Sequence, residues 1–169
     1  DGNYTFTTNT IPTNAKPYAY LASWRSSTNV KFLAAILKKG VKVRYAQSPF
    51  SVEGKSYGRG TLVISEGDNR KMSPAYRQIV EAAARQFDQE LSTVSTGFAD
   101  SGSDFGSSNY TFIQRPEVAI LSGDQTSNNE FGQVWYYFDQ DLQYPHTVLD
   151  ANRLDRLDLS AYNTLIMPE

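Results

Sequence analysis

Few residues of this chain could do chemistry, and most of them gather in one loop. Val118-Ala119-Ile120-Leu121 is a short aliphatic run that breaks at Gly123, and Ser122, Gly123, Asp124, Thr126 and Ser127 mark the polar stretch that follows. Apolar residues then recur at Phe131, Val134, Trp135, Phe138 and Leu142, the spacing of one helix face. Strand, loop and helix in that order open a βαβ unit. Folds of this kind place ligands at the carboxyl ends of parallel strands, where a helix N-terminus also favours anions. Residues 122–129 are therefore the candidate ligand loop. Residues 23–28 occupy the equivalent place earlier in the chain. Neither loop carries a G-x-G-x-x-G or P-loop pattern, and ordinary capping explains both.

The other candidates define no reaction. Catalytic zinc typically takes three protein ligands with histidine prominent, and Ser-His-Asp catalysis needs a histidine of its own. This chain has one, His146, which follows Pro145 at the start of a strand with no serine or carboxylate constellation around it. It reads as structural or surface-lying. Asp100-Ser101-Gly102-Ser103-Asp104 has a calcium-loop flavour but lacks the D-x-D-x-D-G order and the downstream glutamate, so a solvated linker is expected. Trp135-Tyr136-Tyr137-Phe138 could form a stacking platform. At helical spacing Trp135 and Phe138 belong to the buried face, leaving Tyr136 or Tyr137 for solvent or a neighbouring domain. Asp139, Asp141, Asp155 and Asp158 fall on a helix face or a surface connection, where solvation accounts for them. No catalytic, cofactor-binding or metal-ligating residue is assigned.

Composition narrows the classes further. The 169 residues are enough for one ordinary domain or two small ones, and 40% hydrophobic with 13% aromatic content describes a folded chain. The net charge is −2 with the basic residues scattered, which is not the footprint of nucleic-acid binding. No apolar run approaches the ~20 residues of a membrane span. The polar opening stretch does not read as a signal peptide. Absence of cysteine removes disulfides and thiolate chemistry from this chain.

The elements that must position these residues follow from the patterning. Residues 1–16 read as an extended opening segment, then Pro17–Ala22 as a strand and Val30–Leu37 as the core of a helix stopped by Gly40. Val41–Ala46 is a second strand. Residues 50–57 and 60–65 suggest a hairpin turning near Glu53-Gly54-Lys55, and Ser73-Pro74 starts a second helix. Val94–Phe98 reads as a short strand. Residues 99–114 are a Gly/Ser/Asp-rich connection between a first α/β unit, 1–98, and a second βαβ unit, 115–169, closed by Thr147–Asp150 and a last strand at Thr164–Glu169. The pattern predicts an α/β fold with a mostly parallel, three-layer sheet of two βαβ units plus one hairpin.

Beyond patterning, particular residues resemble a family. Tyr20-Leu21, Trp24-Arg25-Ser26, Phe32-Leu33-Ala34-Ala35-Ile36-Leu37, Gly40-Val41-Lys42-Val43, Pro49-Phe50, Gly60-Thr61-Leu62-Val63-Ile64 and Gly67-Asp68-Asn69 are similar to the region following the peptidase domain of large bacterial carboxypeptidase A-like zinc carboxypeptidases. The second half continues with Gly97-Phe98, Asp104-Phe105-Gly106-Ser107 and Arg115-Pro116-Glu117-Val118-Ala119-Ile120-Leu121. Gly132-Gln133-Val134-Trp135-Tyr136-Tyr137-Phe138-Asp139-Gln140, Tyr144-Pro145, Asp158-Leu159-Ser160-Ala161-Tyr162 and Leu165-Ile166-Met167-Pro168-Glu169 complete it. This half resembles the start of the class I glutamine-amidotransferase-like domain of those proteins.

The resemblance implies a flavodoxin- or amidotransferase-like sheet, its second unit cut short. It also implies a secreted or periplasmic parent that hydrolyses peptides, with zinc held only in the absent peptidase domain and that domain as partner. No functional residue carries over: there is no His-x-x-Glu, and no cysteine for an amidotransferase nucleophile. The expected role is a non-catalytic accessory region. The rival expectation is a small-ligand or glycan binding module using residues 122–129.

Overall fold

The computed structural model describes residues 16–24, 26–124 and 126–169, so the opening segment expected at 1–16 lies almost wholly outside the described residues. The chain separates into two compact units. The first runs to Phe32 and resumes from Val41 to Ile113, and the second takes Leu33–Gly40 and Gln114–Glu169.

The strands and α-helices described in the first unit, wholly or partly, are β1 (Ala19–Ala22), α1 (Ser27–Lys38, divided between the units at Phe32), β2 (Arg44–Ala46), β3 (Phe50–Val52), β4 (Lys55–Tyr57), β5 (Leu62–Ser65), α2 (Ala75–Gln86), β6 (Leu91–Val94) and β7 (Tyr110–Phe112). Five strands form one sheet in the order β6-β1-β5-β2-β7, and every neighbour in it is antiparallel. This overturns the mostly parallel sheet expected from the sequence. The β1-α1-β2 crossover does exist: both strands run antiparallel to β5 and so parallel to each other, but β5 lies between them. The cause is local. After β2 the chain makes a detour and returns at once beside it, with Ala46 N–H donating to Thr61 O (2.9 Å) and Gly60 N–H to Ala46 O (2.8 Å). A strand that follows so closely takes the place a parallel neighbour would have filled. Leu62-Val63-Ile64-Ser65 is buried throughout, as a central strand must be, and an unbroken apolar run reads alike in parallel and antiparallel sheets.

The detour is the hairpin β3–β4, with Val52 opposite Lys55 and a two-residue turn at Glu53-Gly54. Both turn residues have positive φ, 50° and 73°, the combination that matches strand twist and that glycine accepts without strain. The turn falls where the sequence puts it, but the hairpin closes on β4 and leaves β5 to the main sheet. Alternation then sorts the side chains. Ala19, Leu21, Val63 and Val94 point to one face with Phe50, Val52, Phe105 and Tyr110 packed on it. Tyr20 points to the other, edge-on to Tyr76 of α2 at 6.4 Å between ring centres. Residues 99–113 belong to this unit, and Phe105 and Tyr110 are in its core. The strand expected at 94–98 lies at Leu91–Val94 instead.

The second unit is the parallel part. β8 (Val118–Ser122), α3 (Asn128–Tyr136), β9 (His146–Asp150) and β10 (Thr164–Ile166) give a three-stranded sheet in the order β10-β8-β9, with β8 parallel to both neighbours. The last turns of α3 widen into a π-type stretch over Tyr137–Asp141, and a 3₁₀ stretch, Ala151–Arg156, follows β9. Val118 and Ile120 share a cluster with Ala34 and Tyr144, against which Phe131, Val134, Phe138, Leu142 and Ile166 are partly buried. The predicted βαβ unit is present here, though among the described residues only β8, β9 and β10 pair in parallel. Among the described residues no helix is long and apolar enough to cross a membrane.

Candidate functional site

The loop after β8 sits where α/β geometry favours a ligand. From β8 the chain passes through α3 to β9 on one side, then crosses back to β10 on the other, so the crevice at the carboxyl end of β8 is a topological switch point. Ser122 ends the strand directly opposite Asp150 of β9. Gly123 follows, and a Cβ there would meet Ala151 Cβ at 3.2 Å, so glycine is what lets the 3₁₀ stretch after β9 approach this closely. The sequence-derived candidates Ser122, Gly123, Asp124, Thr126 and Ser127 are therefore gathered at one place, with Asp150 and Asn152 beside them.

Their hydrogen bonds close on one another. Thr126 donates its hydroxyl to Gly123 O (2.9 Å) and accepts from Gly123 N–H (3.0 Å), while Thr126 N–H donates to Gly123 O (3.0 Å). Ser127 caps α3 by accepting from Glu130 N–H (3.4 Å), and its own N–H donates to Glu169 O (2.9 Å). Asn152 Nδ2 reaches Asp124 Oδ2 at 3.4 Å, and Asp150 Oδ1 accepts from Asn152 N–H at 3.0 Å. Thr126 thus spends both roles of its hydroxyl on the turn. Glu130 in the first turn of α3 already answers the helix dipole, and Asp150 has Arg153 Nε 3.9 Å from Oδ2.

His146 takes no part. It pairs with Val118 at the opposite end of β9 from Asp150, about 13 Å along the strand from the loop. One face of its environment is aromatic, with Trp135 and Phe138 at 6.5 and 6.0 Å between ring centres, and its Nδ1 lies 3.1 Å from Tyr144 O. Trp135, expected on the buried face of its helix, is 37% exposed; Phe138 is partly buried against the core. Among the described residues no group of three or more histidine, aspartate or glutamate side chains could hold a metal ion.

In the first unit, Asp100 Oδ2 accepts from Gly54 N–H (2.8 Å), which pins the 99–109 loop to the hairpin turn, and Asp104 Oδ1 accepts from Ala99 N–H (2.8 Å), which closes the loop on itself. A cleft of about 40 Å³ bordered by Pro49, Phe50, Gly102 and Tyr110 has room for little more than water.

Two polar clusters escaped sequence reasoning. Arg44 grips Asp68 with Nε and Nη2, each at 2.9 Å, while Ser65 Oγ donates to the same carboxylate and the guanidinium lies 3.8 Å from the Phe112 ring centre. Glu66 accepts from Ser73 Oγ (2.6 Å) and pairs with Arg77. Burial alone would raise the Glu66 carboxyl; hydrogen bonds from Ser73, Tyr76 and Arg77 outweigh it and hold it below the ordinary value. The only sequence signal was the polar run Glu66-Gly67-Asp68-Asn69 after a buried strand, which reads equally as a turn. The Arg44–Asp68 cluster is satisfied from within, whereas in the second the buried Arg77 Nε finds no hydrogen-bond partner among the described residues.

Compared with protein-family models, with curated proteins and with solved structures, the chain finds no match.

Proposed function

We propose that this chain is a non-catalytic accessory region of a bacterial carboxypeptidase A-like zinc carboxypeptidase, secreted or periplasmic, that packs against and positions the peptidase domain of the same polypeptide. The residue resemblance supplies the parent. The observation that carries the non-catalytic part is the closed crevice at β8. Its Thr126 hydroxyl and the Gly123 backbone are hydrogen-bonded to each other, and Asn152 is bonded to both Asp124 and Asp150 beside them. A scaffold turn needs no more. Among the described residues no group of three metal-ligating side chains gathers, and His146 has the rings of Trp135 and Phe138 beside it. No step through zinc is therefore assigned to this chain.

The coding sequence on either side tests the parentage: an upstream His-x-x-Glu with a distal histidine in the same reading frame is expected, and its absence would refute it. For the non-catalytic part, the purified chain should carry no stoichiometric zinc and release no C-terminal residue from peptides. Either result in the positive would overturn it.

One observation favours a second reading, a small-ligand or glycan module: residues 122–129 do lie at the switch point of a parallel sheet. Titration with inorganic phosphate and with monosaccharides, followed through Trp24 and Trp135 fluorescence, separates the two. A saturable response would establish the module, and none is expected.

A further inference from the structure

Strand β9 is the outer strand of the parallel sheet, and little guards it. It has β8 on one side and, among the described residues, no strand on the other, so alternate N–H and C=O groups face outward. Thr147, Val148 and Asp150 are exposed, Val148 by 44%. Natural edges are blunted by lysine, internal proline or a bulge; the run His146-Thr147-Val148-Leu149-Asp150 has none of these. The β6 edge differs, since beyond it the Ser95 N–H and hydroxyl are held by Glu53 Oε1 (2.8 and 2.5 Å), while prolines flank both edges of the parallel sheet, Pro145 before β9 and Pro168 after β10.

The sequence of β9 is complementary to itself. Laid antiparallel on a second copy about Val148, it sets Val148 against Val148, Thr147 against Leu149, and His146 against Asp150, twice. The centre is apolar, and both ends match a basic ring with a carboxylate. Asp150 keeps one oxygen on Asn152 N–H and has Arg153 only loosely at 3.9 Å, with half of its side chain exposed, so it can accept a partner. Val148 lies on the face of the sheet that α3 covers, in register with Ile120, and Trp135 of α3 stands over His146 on that face. A strand added at this edge would extend a surface already partly apolar. Parallel sheets are normally buried, whereas this one has three strands among the described residues and an exposed β9.

We propose that the β9 edge is a homodimer interface: two copies pair antiparallel through His146–Asp150 about a twofold axis at Val148, joining two three-stranded sheets into one of six. The occupant is a second copy because self-pairing alone brings both His146–Asp150 matches at once.

Sedimentation of the whole chain over a concentration series tests this, with Val148→Lys and Val148→Glu as paired variants. Val148 is exposed, so both should fold, which circular dichroism checks. The wild type should show a dimer. Each variant sets like charges face to face on the twofold and should dissociate at least about tenfold more readily. An equimolar mixture of the two should restore the dimer, a result misfolding does not produce. A wild type that stays monomeric to its solubility limit would overturn the proposal. So would variants that dimerise unchanged, or a mixture that stays monomeric.

Discussion

β1 and β5 of the antiparallel sheet are buried at all eight of their residues, whereas β9 and β10 of the parallel sheet have no fully buried residue. The strands are of similar length, so coverage makes the difference. The antiparallel sheet carries α2 on one face, and the hairpin with Phe105 and Tyr110 on the other. In the parallel sheet only β8 is enclosed, at Val118–Leu121. One region supplies its own core. The other has a buried strand with two exposed flanks, the condition of a sheet made to be extended or covered. That contrast unites the two proposals, since a peptidase domain and a second copy would both cover what the parallel sheet leaves open.

The largest expected effect lies in the enclosed sheet. Ile64→Ala deletes a fully buried side chain between β1 and β2 and should cost about 3–4 kcal/mol in urea melts. Leu165→Ala in β10, where the side chain is 38% exposed, should cost less than about 1 kcal/mol. Equal losses would erase the distinction.

Arg44→Ala comes next. It strands Asp68 and uncovers Phe112, and because both charged side chains are still 16–19% exposed the loss should be about 2 kcal/mol rather than that of a fully buried pair. Asp68→Asn measured alongside should recover part of it in the double mutant.

Alkali should also divide the units. Burial, then the Glu81 hydrogen bond, raises the Tyr20 phenol. Burial, then Glu66, pushes Tyr76 up to about 12, and burial with the charge of Asp104 pushes Tyr110 up to about 12. All three are in the first unit; in the second, burial raises Tyr144. Because the folded values exceed the unfolded one of about 10, the stability these groups contribute is complete below pH 10 and is lost as pH rises through the folded values. Urea melts at pH 9 and pH 11 should show it, with the first unit losing more.

Ser127→Ala removes the α3 cap and should cost about 1 kcal/mol, read as a loss of stability without any change in ligand response. A larger loss would mean that the closed loop does more than end a strand.

The legible parts of this fold were those set by short-range chemistry. Glu53-Gly54 fixed a hairpin turn, Gly40 with φ +84° closed α1, and the run Val118–Leu121 with its helix made a true βαβ unit. What could not be read was partnership. Leu62-Val63-Ile64 is an unbroken apolar run, and nothing in it says whether its neighbours run with or against it; the return from Gly60 beside Ala46 decided that. The candidate loop was located by type, since Ser122, Gly123, Asp124, Thr126 and Ser127 do meet at the end of β8. Its closure was not legible, because whether a threonine hydroxyl faces a ligand or its own turn depends on one rotamer. The clusters at Arg44–Asp68 and Glu66–Arg77 join residues 24 and 11 positions apart, with no periodic signal to mark them.

Amide hydrogen exchange of the whole chain tests the contrast between the sheets most directly. Amides of β1 and β5 should exchange only through global unfolding, while those of β9 and β10 exchange through local opening at a clearly lower free energy. Equal protection of β9, β10, β1 and β5 at concentrations where the chain is monomeric would contradict the account.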